Sequence, residues 1–184
     1  MTKPYVALLR GINVGGKHSV PMKLLATMFN DAGCENVQTY IQSGNVVFSA
    51  PAAVVAKLPA AISQAIQKQL GHEVPVVIRT ADQMKNVIAG NPFAERKDFS
   101  DFSHVVFFSG RFSPTNIQQL DPKRSPGDEF QCRECEVYLW LPNGAGRTKL
   151  NSTYLDKTLA GTGTQRNWRT VVKLDQMLSE LKSI

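Results

Sequence analysis

The residues best equipped for chemistry sit between Leu9 and Met22, which reads Leu-Arg-Gly-Ile-Asn-Val-Gly-Gly-Lys-His-Ser-Val-Pro-Met. Arg10, Asn13, Gly15, Gly16 and Lys17 are the types that hold an anion. Glycine lets the backbone take positive φ, so that successive N–H groups converge on oxygens while the cations supply charge. Gly11 to Lys17 also fits G-x-x-x-x-G-K. However, His18 stands where a nucleotide-phosphate loop carries the Ser or Thr that binds magnesium, and Ser19 comes one position late. Pro21 puts the following helix start several residues past the Lys. No apolar run ending in Asp supplies a second magnesium motif. Two readings stay open: a general anion-binding loop, and a tight turn that serves only chain geometry.

Two more basic clusters lie near the C-terminus. Pro142-Asn-Gly-Ala-Gly-Arg-Thr-Lys149 is a second glycine-rich loop, with Arg147 and Lys149. Gln165-Arg-Asn-Trp-Arg169 is read as the first turns of the last helix, with Thr162 and Gln165 spaced as a capping box. A helix N-terminus is already partially positive, so Arg166 and Arg169 there call for an anion or a carboxylate partner. Trp168 falls on the apolar side with Val171, Val172 and Leu178 and is assigned to the core. Cys132-Arg-Glu-Cys135 fits C-x-x-C but spans a hairpin turn, whereas a redox pair normally opens a helix. Zinc would need two more ligands, and Cys34, His18, His72 and His104 show no ligand spacing. No metal and no cofactor are expected. No G-x-S-x-G elbow supports a hydrolase triad through Ser43.

The elements that must position these groups follow from periodicity. Residues 5 to 9 form a strand, and Pro21 to Ala32 a helix with Met22, Leu25, Met28, Phe29 and Ala32 on one face. Residues 37 to 42 and 45 to 49 form a hairpin around Ser43-Gly44. A helix to Leu70 follows, which Pro59 either kinks or begins, and then a strand over 74 to 78. Strand, helix, strand, strand, helix, strand is the ferredoxin-like unit. Its expected order 4-1-3-2 puts the first loop and the hairpin turn at one end of the sheet, so Gln42, Ser43 and Asn45 join Arg10, Asn13 and Lys17 there. The bland alternative is a solvated hairpin tip.

The second half is a looser echo. It carries a capped helix from Thr80-Gln83, a charged exposed connection over 93 to 102, and a strand over 104 to 108. A short helix from Ser113-Pro114, a hairpin over 130 to 141, and helices over 151 to 160 and 165 to 182 complete it. The fold class is therefore α+β. Residues 1-80 are the ferredoxin-like βαββαβ half, and 81-184 a related αβαββαα half in which a helix replaces the last strand. The two are expected to pack as one compact unit.

Composition sets the wider limits. The 184 residues carry 42% hydrophobic and 20% charged residues, ordinary for a globular protein, and no apolar run reaches the roughly 20 residues of a membrane span. The first residues lack a signal peptide's apolar segment, and three cysteines agree with a reducing compartment. A cytoplasmic protein without membrane partners is expected. The net charge of +6 is uneven: Lys plus Arg against Asp plus Glu is 7 to 3 over residues 1 to 80, 7 to 9 over 81 to 145, and 7 to 3 over 146 to 184. If the fold brings the two basic ends together, their field favours a phosphate-bearing small molecule or a nucleic-acid backbone as partner; the bland alternative is a soluble surface that is merely mildly basic. Base stacking on the sheet is disfavoured, since the third strand keeps Phe48 alone of the aromatic platform of RNA readers.

Four blocks carry a resemblance: Leu9-Arg-Gly-Ile-Asn-Val-Gly-Gly-Lys17, Tyr40-Ile-Gln-Ser-Gly-Asn-Val-Val-Phe48, Gly146-Arg-Thr-Lys-Leu150 and Arg166-Asn-Trp-Arg-Thr-Val-Val172. The chain resembles the domain-of-unknown-function family 1697, a set of mostly bacterial proteins. That resemblance implies a compact α+β fold of two ferredoxin-like halves and brings no established activity. The functional expectation therefore rests on the residues. Arg10, Asn13, Gly15, Gly16 and Lys17 would cradle an anion, Gln42, Ser43 and Asn45 would orient it, and Arg147, Lys149, Arg166 and Arg169 would clamp it. A small metabolic enzyme using the same loops is the competing reading, with His18 as the loop's general-base candidate. A structural or oligomerisation role is the third, and it predicts the arginines in carboxylate pairs.

Overall fold

The computed structural model describes residues 1–16 and 18–181, which divide into two compact units, Met1–Lys85 with the chain from Lys173 onward, and Asn86–Val172. No helix among the described residues is long and apolar enough to cross a membrane.

The first unit runs β1 (Thr2–Leu9), α1 (Met22–Asp31), β2 (Glu35–Tyr40), β3 (Asn45–Pro51), α2 (Ala52–Val55), α3 (Leu58–Leu70) and β4 (Val76–Thr80). All strand pairs are antiparallel, in the order β2-β3-β1-β4. The central strand β1 is buried from Tyr5 on, and Phe48 from β3 meets Phe29 from α1 at 5.3 Å between ring centroids. Ala7, Leu9, Leu25, Val46, Ile62 and Ile66 belong to the same core. Pro59 marks a helix start, falling in the first turn of α3, where a missing N–H costs nothing.

The second unit contains α5 (Phe99–Phe102), β5 (Ser103–Phe108), α6 (Pro114–Gln118), β6 (Glu129–Arg133), β7 (Glu136–Trp140), α7 (Ser152–Leu159) and β8 (Gly163–Asn167). Its sheet order, β6-β7-β5-β8, repeats that of the first unit strand for strand. The helices that follow each fourth strand, α4 (Ala81–Ala89) and α8 (Trp168–Leu181), contribute residues to both units. Thr80 and Gln83 form the expected capping box at α4, with Gln83 N donating to Thr80 Oγ1 at 3.1 Å and Thr80 N to Gln83 Oε1 at 2.8 Å.

Two expectations need correction. Residues 163–167 are not the start of the last helix but strand β8, paired with β5 from His104↔Asn167 to Phe108↔Gly163. Asn167, not Thr162, caps α8, its Oδ1 accepting from Thr170 N at 2.8 Å. The physical reason is that β5 has an edge for a fourth strand, whose ladder bonds outweigh a local capping signal. The connection 93 to 102 is also less exposed than its charges suggest. Phe93 is buried, Phe99 packs edge-on against Trp168 at 4.8 Å, and Arg96 makes a bidentate pair with Glu129 at 2.8 and 2.7 Å. Trp168 itself is buried.

Candidate anion-binding site

In the first unit the β1–α1 loop and the β2–β3 turn do lie together. Asn13 joins them: its Nδ2 donates to Gln42 O at 2.8 Å and Val20 O at 3.0 Å, and its Oδ1 accepts from Val20 N at 2.8 Å. Both amide hydrogens are therefore used within the chain, so Asn13 shapes the loop and has no donor left for an anion. Asn45 is fully buried, and its Nδ2 is likewise used within the chain, donating to Tyr40 O and Ser43 Oγ. Gly15 and Gly16 are exposed at φ 58° and 74°, with open space where a Cβ would lie. Gln42 is exposed, and Arg10 is half-buried with its N–H on Pro75 O. Lys17 lies outside the described residues.

In the second unit Arg166 is 7% exposed on β8, and its Nη1 donates to Thr164 Oγ1 at 2.8 Å and Gln165 O at 2.9 Å. Burial alone pushes its guanidinium down to about 10. Arg169 is in the first turn of α8 and pairs with the Asp101 carboxylate, the carboxylate alternative anticipated for a cation at a helix N-terminus. The two arginines are thus a strand residue and an ion-paired helix residue.

The glycine-rich loop 142–149 serves a different geometry. It folds through successive turns, Gly144 N to Leu141 O and Arg147 N to Gly144 O, leaving Arg147 and Lys149 exposed. Ser125 fastens it, accepting from Lys149 N at 3.1 Å and donating to Asp128 at 2.7 Å. The Lys149 carbonyl then accepts from Arg124 Nε at 2.9 Å, and the Arg124 guanidinium lies 3.8 Å over the Tyr154 ring. Tyr154 is fixed in turn, its hydroxyl accepting from Asp121 N and its own N–H going to the α7 cap, Asn151. Here opens a groove of about 660 Å³ lined by Gln119, Arg124, Asn151, Thr153, Tyr154 and Lys157 with Thr158. Two cations and no carboxylate line it. Nothing in the sequence singled out Arg124, Tyr154 or Lys157. The available signal was Arg124 among the basic residues and the loop at 142–149 that positions it.

No cysteine lines the groove. Cys132 and Cys135 are half-buried in the β6–β7 hairpin, and burial raises the Cys132 thiol to about 11, which keeps it protonated.

Comparison with known proteins adds a fold and a family. A solved structure described as conserved bacterial protein SP0830 from Streptococcus pneumoniae superposes with a TM-score of 0.75 at 21% identity, covering 97% of this chain and 99% of that one. At that identity the likeness is one of fold. No curated protein sequence matches significantly. The family model described as "Protein of unknown function (DUF1697)" matches residues 1–138, three-quarters of the chain and both first signature blocks, and the chain belongs to that family.

Proposed function

We propose that this protein binds a phosphate-bearing ligand in the groove of its second unit. The observation that supports the reading is Arg124. Its Nε is taken by the Lys149 carbonyl and its face by Tyr154, which aligns the terminal guanidinium nitrogens as a pre-set fork, and a fork matches phosphate oxygens bidentately. Lys157 supplies a second charge, and Gln119, Asn151 and Thr153 supply polar groups for the rest of the ligand. The volume suits a molecule of nucleotide size. The groove has no imidazole, carboxylate or thiol in its lining, so it favours binding over proton-transfer chemistry.

The test is a thermal-shift panel of inorganic phosphate, nucleotides, sugar phosphates and short RNA at low and high salt. A ligand held about 100-fold above its dissociation constant stabilises by roughly 2.7 kcal/mol. Arg124→Ala and Lys157→Ala should both remove the shift. Retention of the full shift in both variants refutes the groove as the site, and no shift from any phosphate compound refutes the reading itself.

A further inference from the structure

Away from that groove, the first unit brings two imidazoles together. His18, at φ 50° in the β1–α1 loop, sets its ring 4.9 Å from that of His72, centroid to centroid, with the planes 80° apart. Nδ1 of His72 lies 3.0 Å from the Leu70 carbonyl oxygen. A carbonyl only accepts, so Nδ1 carries the hydrogen, and the neutral ring keeps its lone pair on Nε2. That Nε2 is buried and has no hydrogen-bond partner. Buried polar atoms are normally satisfied, so an orphan acceptor beside a second imidazole calls for an explanation.

We propose that His18 and His72 form a two-imidazole site for a borderline divalent transition cation such as Zn²⁺. An imidazole that gives Nδ1–H to a backbone carbonyl and keeps its Nε2 lone pair has the tautomer and the fixed ring orientation of a histidine metal ligand. His18 is exposed, so its ring can turn from edge-on packing to present a nitrogen. No group of three or more ligating side chains lies among the described residues, so this is an open two-imidazole site and not a closed structural zinc centre, and water fills the positions that two further protein ligands would take there. Nitrogen donors select Zn²⁺, Cu²⁺ or Ni²⁺ over oxygen-seeking Mg²⁺ and Ca²⁺. The ion would tie the glycine loop that Asn13 shapes to the segment leading into β4.

The experiment titrates the untagged full chain with zinc chloride, followed by thermal unfolding and by NMR of the imidazole resonances. The variants are His18→Ala, which alters an exposed side chain, His72→Gln, and the double change Cys132→Ser with Cys135→Ser. Zn²⁺ should raise the melting temperature and move both imidazole signals at one ion per chain, and Mg²⁺ should do neither. Each histidine variant should lose the response and the cysteine variant should keep it. The proposal is overturned if wild type gives no response, if the response survives His18→Ala, or if it disappears with the cysteines.

Discussion

A Cβ on residue 44 would stand 2.7 Å from Leu9 Cβ and 2.8 Å from Ile12 Cδ1, at a backbone φ of 76°. Leu9 N also donates to Gly44 O at 2.8 Å, so this turn is pressed against the end of β1. Gly44→Ala should destabilise by about 2–4 kcal/mol, the sum of a left-handed alanine and a clash with packed apolar carbons. Urea unfolding measures it, and a change below about 1 kcal/mol would mean the turn relaxes freely. The turn at Ser43-Gly44 was legible in the sequence because glycine at a hairpin is a local signal. The internal use of Asn13 and Asn45 was not, because an amide at a loop reads the same whether it faces solvent or a carbonyl. His104 offers a second test at this scale. Burial lowers its pKa, opposed by its Nδ1 hydrogen bond to Phe102 O. As pH falls through the ordinary histidine value of about 6.5, the unfolded chain takes up the proton first. Stability present above that pH is therefore lost on acidification towards the depressed folded value. Urea midpoints at pH about 7.5 and about 5 should fall further apart for wild type than for His104→Gln, and equal falls would assign the acid loss elsewhere.

Element boundaries carry the clearest lesson about the second unit. The strand β8, Gly163-Thr-Gln-Arg-Asn, has no apolar alternation to announce it, yet Thr164 and Arg166 are buried in it. Its identity shows only against β4. Val6 faces Arg79 on β4, Val105 faces Arg166 on β8, and both arginines donate Nη1 to the preceding residue's carbonyl. The next residue in each strand, Thr80 or Asn167, caps the helix that follows. The repeat is thus visible where the same Val–Arg pair recurs at equivalent register positions and invisible along the linear sequence, which is why the first unit's topology was readable from the sequence and this strand was not. Asn167→Ala should cost about 1 kcal/mol by removing a helix cap, whereas Thr162→Ala should be close to neutral. The reverse ranking in urea unfolding would move the start of α8 back to the position its sequence spacing suggests.

The whole molecule carries a net charge of +6, and a field of that size attracts any polyanion whether or not a site exists. Salt dependence separates the two cases. Each cation in direct phosphate contact contributes about 0.7 to the slope of log affinity against log salt for single-stranded nucleic acid. A charge that only adds to the general field contributes through screening, which falls off over about 8–10 Å near physiological ionic strength. Arg124→Ala and Lys23→Ala remove the same formal charge, but Arg124 lines the groove and Lys23 is an exposed residue on α1 of the other unit. If the groove contacts phosphate, Arg124→Ala lowers the slope for a short RNA by about 0.7 and weakens binding at every salt concentration, and Lys23→Ala leaves the slope unchanged. Equal effects of the two substitutions would mean that the attraction belongs to the net charge and that the fork of Arg124 is held for some other partner.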